Sequence, residues 1–179
     1  MSDRAEDGVN LGSFIRDIPD FPQPGILFRD ITPLLLDPRA LGATINRFVH
    51  YARDMEIDFV VAAEARGFIL GGAIANALNA GFVPARKRGK LPSDTVSSEY
   101  ALEYGIDALE MHADAFAGGA RVLIHDDLLA TGGTAHALAD LVGRLGGEVV
   151  ACVFLVELES FKGRERLDPY VVHSLISFD

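Results

Sequence analysis

Between Val122 and Leu138 the chain reads VLIHDDLLATGGTAHAL. An apolar run halts at two adjacent carboxylates, Asp126 and Asp127, and is followed by Thr131-Gly132-Gly133-Thr134 and then a helical pattern. Glycines let the main chain approach a ligand closely and take positive φ. The free N–H groups and dipole of a helix start favour an anion such as phosphate, and the threonines add hydroxyl donors. Two acids repel phosphate; they suit hydroxyl donors or a metal, and a carboxylate accepts well from the vicinal hydroxyls of a ribose. Acceptors at one end and an anion nest at the other fit a ribose 5-phosphate. Each part taken singly also reads as a helix cap and turn; their conjunction after a buried strand does not. Neither G-x-G-x-x-G nor G-x-x-x-x-G-K-[ST] occurs, so the dinucleotide and P-loop signatures are missing.

Other chemistry-bearing residues are sparse. The five histidines, His50, His112, His125, His136 and His173, show no metal-ligand spacing, and His125 reads as strand-end packing. Cys152 stands alone in an apolar run, which makes it buried filler, precludes an internal disulfide and fits a reducing compartment.

These residues need elements to position them. The 179 residues favour one domain, 1–179, with 1–35 as an acidic leader and hood segment and 36–179 as the core. A short helix is expected over Leu11–Ile18, then an extended segment with five prolines up to Pro38, then a helix whose apolar period runs to Met55. DFVVAA, FVPAR, RVLIH and EVVACVFLVEL read as buried strands, and YVVHSLISF as a final one. Helices are expected over 67–80 and Thr134–Leu145, with a shorter one over Ser160–Leu167. DALEMHADAF alternates like an exposed antiparallel strand, and Leu91 to Glu103 has no period and reads as a structureless lid loop. Strand and helix alternate at short intervals, which predicts an α/β fold with a central, mainly parallel sheet flanked by helices. The Asp-Asp and Gly-Gly turn then falls at the carboxyl edge of the sheet, where such folds bind ligands.

Net charge is −10, which repels nucleic acid and anionic membranes, so neither is an expected partner. The polar start MSDRAEDGVN is unlike a leader peptide, and no apolar run approaches membrane-spanning length, which predicts a cytoplasmic protein.

VLIHDDLLATGGTAHAL resembles the phosphoribosyl-pyrophosphate (PRPP) motif of the type I phosphoribosyltransferases, and DDLLATGGT the adenine-specific family among them. FPQPGILFRDITPLLLDP, EARGFILG, RKRGKLP, ALEYGIDALEMHADA and LVELESFKGRERLDP resemble that family in the same order. The resemblance implies a type I phosphoribosyltransferase fold with a small N-terminal hood and a flexible lid. It also implies conversion of adenine and PRPP to AMP and pyrophosphate in purine salvage, with Mg2+ carried in on PRPP and no direct metal ligand. By resemblance, Ala130, Thr131, Gly132, Gly133 and Thr134 hold the 5-phosphate while Asp126 and Asp127 face the ribose hydroxyls. Arg86, Lys87 and Lys90, in an otherwise acidic chain, would contact pyrophosphate as the leaving group. EARG would form the other pyrophosphate-side loop, with Arg66 and a non-proline cis peptide. In GILFRD, Phe28 would stack on adenine and the backbone of Leu27 and Arg29 would read its edge, with Arg66 over the opposite face. Glu103 would act as general acid or base near N7, and Tyr104 would shield or orient the reaction. The family also implies a homodimer.

Two alternatives remain at this point: a transferase for another purine base, and a non-enzymatic PRPP-binding regulator. The adenine-type GILFRD argues against the first. The absence of a basic surface or added helix-turn-helix domain, with Glu103 and Arg86 kept, argues against the second.

Overall fold

The computed structural model describes residues 7–102 and 105–179, with the main chain alone at 100–102 and 105–107. The chain forms two compact units, 1–47 and 48–179.

In the first unit a 3-10 turn, Leu11–Phe14, precedes a two-stranded hairpin of β1 (Arg16–Pro19) and β2 (Leu27–Asp30). The helix expected over Leu11–Ile18 is therefore one turn followed by a strand. Its apolar spacing fits a helix, but pairing overrides it: Arg16 lies opposite Asp30, and its guanidinium holds that carboxylate at 2.5 Å. The proline-rich segment is likewise more ordered than an extended strip. A short helix α1 (Thr32–Leu36) tolerates Pro33 in its first turn, where no N–H is needed. Asp37 then caps α2 (Pro38–Ala52), its Oδ1 accepting from the N–H groups of Arg39 and Ala40 at 2.9 and 3.0 Å.

The second unit is built on a seven-stranded sheet. Its strands are β3 (Phe59–Ala63), β4 (Gly81–Lys87), β5 (Thr95–Leu102), β6 (Gly105–His112), β7 (Arg121–Leu129), β8 (Glu148–Leu158) and β9 (Val172–Phe178), in the order β5-β6-β4-β3-β7-β8-β9. Five strands from β4 to β9 are parallel, and the β5–β6 hairpin adds to the β4 edge antiparallel. Crossovers are α3 (Gly67–Ala77) from β3 to β4 and α4 (Gly133–Arg144) from β7 to β8. The middle strands β3, β7 and β8 each carry a continuous apolar run, as strands covered on both faces do: Val61, Val122, Ile124, Cys152 and Phe154 form one core with Leu138 and Leu141 of α4. β8 carries one extra residue against β7, because Val122 faces Val149 while Leu123 faces Ala151.

Three expectations need correction. The structureless stretch from Leu91 to Glu103 is short: residues 88–94 have no helix or strand, and Thr95–Leu102 pairs with β6. Its polarity hid the strand, since the buried position is a serine, Ser98. The segment read as an exposed strand is interior, with Ala108, Leu109, Glu110 and Met111 all buried, because β6 lies between β5 and β4. The single helix expected over Ser160–Leu167 is a 3-10 turn, Glu159–Phe161, and a separate α5 (Gly163–Arg166), broken at Lys162 with φ 54°.

Candidate active site

β3 and β7 are neighbouring parallel strands whose continuations diverge. The chain leaves β3 for β4 on one side and β7 for β8 on the other. This reversal opens a crevice beyond their carboxyl ends, the usual ligand position in an open α/β sheet. A cavity of about 200 Å³ lies there, lined by Arg66, Asp126, Asp127, residues 128–135 and Phe154. It gathers the residues of the PRPP-like motif together with Arg66.

β7 does not end at His125, as the apolar run implies. It continues through Leu129 with β8 still paired alongside, so the loop proper is only Ala130–Gly132. Asp126 and Asp127 are thus strand residues, locked by the ladder. Gly132 turns the chain into α4 with φ +77°, and a Cβ there would stand 2.6 Å from the carbonyl oxygen of Gly163. The Gly132 carbonyl accepts the first helical bond, from His136 N–H at 2.9 Å. The preceding N–H groups, of Gly133, Thr134 and Ala135, have no partner within the helix and open onto the cavity side. No side chain caps this helix start, so the amides are presented to whatever anion enters.

The acid pair is electrostatically strained toward accepting donors. Burial raises the Asp126 carboxyl well above its usual range, and the neighbouring Asp127 charge pushes the same way. Burial also raises Asp127, with Arg66 partly opposing it. Asp126 Oδ1 accepts from the Asp127 N–H at 2.9 Å. Asp127 is 3% exposed; Arg66 Nε stands 3.1 Å from its Oδ2, yet that oxygen has no well-aligned hydrogen bond among the described residues. A buried carboxylate with an oxygen lacking an aligned donor, next to a half-buried one, matches a ligand that brings hydroxyl donors.

Arg86, Lys87 and Lys90 gather around Glu64. The Glu64 Oε2 accepts from Arg86 Nε and Nη2 at 3.1 and 3.0 Å, and Oε1 accepts from the Lys87 N–H at 2.6 Å. Arg86 Nη1 donates to the Lys90 carbonyl at 3.0 Å. Burial opposes ionisation of Glu64, but these donors and the Lys90 charge outweigh it and hold the carboxyl below its usual range. The Glu64–Ala65 peptide is cis. Beside this cluster, Glu110 accepts from Gly89 N–H at 2.9 Å and Arg88 pairs with Glu99 at 3.0 Å. Sequence reasoning missed the organising role of Glu64: its partners lie more than twenty residues away and no local spacing announces them.

Leu27, Phe28 and Arg29 belong to β2 of the first unit. Leu27 is exposed, Phe28 meets Phe21 edge-on with centroids 5.1 Å apart, and Arg29 pairs with Asp17. Glu103 and Tyr104 lie outside the described residues. His125 is fully buried against the Phe48 ring, with Nδ1 3.1 Å from the Val153 carbonyl, and burial depresses its pKa to about 4. Cys152 is buried in the core, which pushes its thiol up to about 12.

Residues 36–179 match the phosphoribosyl transferase domain. An adenine phosphoribosyltransferase of Thermotoga neapolitana is 58% identical over 170 residues, covering 95% of this chain and 100% of the relative. The crystal structure of adenine phosphoribosyltransferase from Thermoanaerobacter pseudethanolicus superposes with a TM-score of 0.92 at 51% identity, covering 94% of this chain and 98% of that one. The Saccharomyces cerevisiae enzyme, solved with an imino-altritol bisphosphate and adenine, gives 0.89 at 38% identity, covering 92% and 96%. A crevice where the connections of two paired strands part, and sequence identity of this order along nearly the whole length, lead to one conclusion: the chain belongs to the adenine phosphoribosyltransferase family, of type I phosphoribosyltransferase fold.

Proposed function

We propose that the chain converts adenine and PRPP to AMP and pyrophosphate. The C1–oxygen bond to pyrophosphate breaks as the C1–N9 bond forms, and the N9 proton leaves. The observation that carries this reading is the juxtaposition, in one cavity, of the uncapped amide cradle Ala130–Thr134 with Asp126 and Asp127. The cradle suits the 5-phosphate and the acids the ribose hydroxyls. Arg66, Arg86, Lys87 and Lys90 supply positive charge for the departing pyrophosphate. Leu27, Phe28 and Arg29 take the adenine; a main-chain acceptor for the 6-amino group and a donor for N1 disfavour 6-oxopurines. Glu103 serves near N7 and Tyr104 shields the oxocarbenium-like transition state from water, under a lid that closes over it.

Among the described residues no three His, Cys, Asp or Glu side chains converge to hold a metal ion. On this reading Mg2+ enters as part of the PRPP substrate, where it would offset charge on the diphosphate. No helix among the described residues is long and apolar enough to cross a membrane. A cytoplasmic location is proposed on the lone, buried Cys152, which fits a reducing compartment. The active form is a homodimer.

The test is a spectrophotometric assay of the protein with PRPP, Mg2+ and each of adenine, hypoxanthine and guanine. AMP should form from adenine, with little product from the other two. Equal rates with all three bases would reject the base assignment.

A further inference from the structure

The segment ESFKGRERLDP, residues 159–169, reads as charged surface, and Lys162, Arg164, Glu165 and Arg166 are exposed. Gly163 in its middle is buried. A Cβ on Gly163 would overlap the carbonyl oxygen of Ala130 and stand 2.9 Å from the Gly132 nitrogen. Reciprocally, a Cβ on Gly132 would meet the Gly163 carbonyl. The phosphate-side loop is only three residues long, so nearly all of it lies against this one glycine. Gly163 is needed there for space alone, because its φ is not positive.

The next residue anchors the contact. Arg164 donates to Glu157 through Nε at 3.0 Å and Nη2 at 2.5 Å, and through Nη1 to the Val172 carbonyl at 2.6 Å. Ser174 Oγ adds a bond to Glu157 at 2.6 Å. Glu157 is buried on β8 directly opposite Leu129, the last residue of β7 before the loop. One guanidinium thus ties α5 to β8 and β9 at the level where the cradle begins, and a bidentate pair fixes orientation as well as distance.

We infer that Gly163, held by the Glu157–Arg164 pair, is a positioning residue for the phosphate cradle: it backs Ala130–Gly132 so that their N–H groups keep the spacing an anion requires. This rests on the reading that the cradle takes the 5-phosphate of PRPP. Gly163 and Arg164 act on the phosphate-side loop, so disturbing them affects PRPP and spares adenine.

The experiment compares the full-length wild type with Gly163→Ala and Arg164→Gln. It measures KM for PRPP and adenine, kcat, ribose 5-phosphate affinity by titration calorimetry, and Tm. Displacing positioning groups by about 1 Å costs about 100-fold. Gly163→Ala should therefore weaken ribose 5-phosphate binding and raise the PRPP KM by about 10- to 100-fold, with the adenine KM unchanged. Arg164→Gln, which introduces no clash, should show the same selectivity more mildly and decides the matter if Gly163→Ala does not fold. Wild-type ribose 5-phosphate affinity in a folded Gly163→Ala protein overturns the inference. So does an Arg164→Gln protein whose PRPP and adenine constants worsen together as Tm falls. A wild type that binds ribose 5-phosphate but makes no AMP defeats the functional reading and leaves this one to the calorimetry. A wild type that binds no ribose 5-phosphate defeats both.

Discussion

Arg66 Nε, just before α3, stands 3.1 Å from Asp127 Oδ2 on the neighbouring strand. The pair spans the crevice between the turn that follows β3 and the end of β7. It gives the Asp127 carboxylate a cation without using its hydrogen-bonding capacity in full, since Oδ2 has no aligned donor. The arrangement leaves room for a ligand hydroxyl beside a guanidinium that can turn toward a phosphate.

Replacing Asp127 with Ala removes an acceptor, while Arg66, 43% exposed, stays solvated. The loss is then that of the ligand's bonds to a charged acceptor, about 1.5–3 kcal/mol, and kcat/KM for PRPP should fall correspondingly or turnover should vanish. Steady-state kinetics at varied PRPP measure it; an unchanged enzyme would remove the diol argument.

Gly132→Ala places a side chain at φ +77° against the Gly163 carbonyl. The left-handed conformation alone costs about 1–2 kcal/mol, and in a chain of this size each kcal/mol is about 2–4 °C of Tm. Scanning calorimetry should show a fall of at least about 2 °C, with a weaker PRPP interaction. A Tm equal to wild type would mean that the turn is built differently.

Glu64→Gln keeps the shape of the side chain but leaves Arg86 without its carboxylate partner. Hydrogen bonds to charged groups contribute about 1.5–3 kcal/mol. The reverse reaction should show a pyrophosphate KM raised by about tenfold, while the adenine KM in the forward direction holds. Unaltered pyrophosphate kinetics would show that Arg86 needs no such support.

His125 gives a pH signature. Burial holds its folded pKa near 4, against an ordinary value of 6.5. The unfolded chain therefore binds the extra proton first, so this group's contribution to stability is complete above pH 6.5 and is lost as pH falls toward 4. Urea titrations at pH 5 and pH 7.5 should show a drop at the lower pH that is smaller in His125→Leu. The same drop in both proteins would place the acid sensitivity elsewhere.

The PRPP-like motif was legible because its chemistry is local. Acids, threonines and glycines fall within nine residues, and the sheet needs only to bring them to its edge. Periodicity found β3, β7, β8 and α4 for the same reason, since each buries a continuous apolar surface. It failed on β1, β2 and β5, whose order comes from a partner strand rather than from an apolar face. It also stopped β7 at His125, because carboxylates look like the end of a strand when their burial is invisible. Glu64 and Gly163 escaped for a deeper reason. Each matters through a main-chain or guanidinium contact with residues far along the chain, and neither has a neighbour that advertises it.

The extra residue in β8, at Val150, sets the parity of everything downstream. Side chains alternate along a strand, so a one-residue slip exchanges its two faces. Without Val150, Glu157 would stand where the fully buried Val156 now is, and its carboxylate would enter the apolar core instead of meeting Arg164. A kink about 23 Å upstream thereby decides whether the anion-binding turn has a wall behind it, and the reading frame of a ladder becomes part of the chemistry.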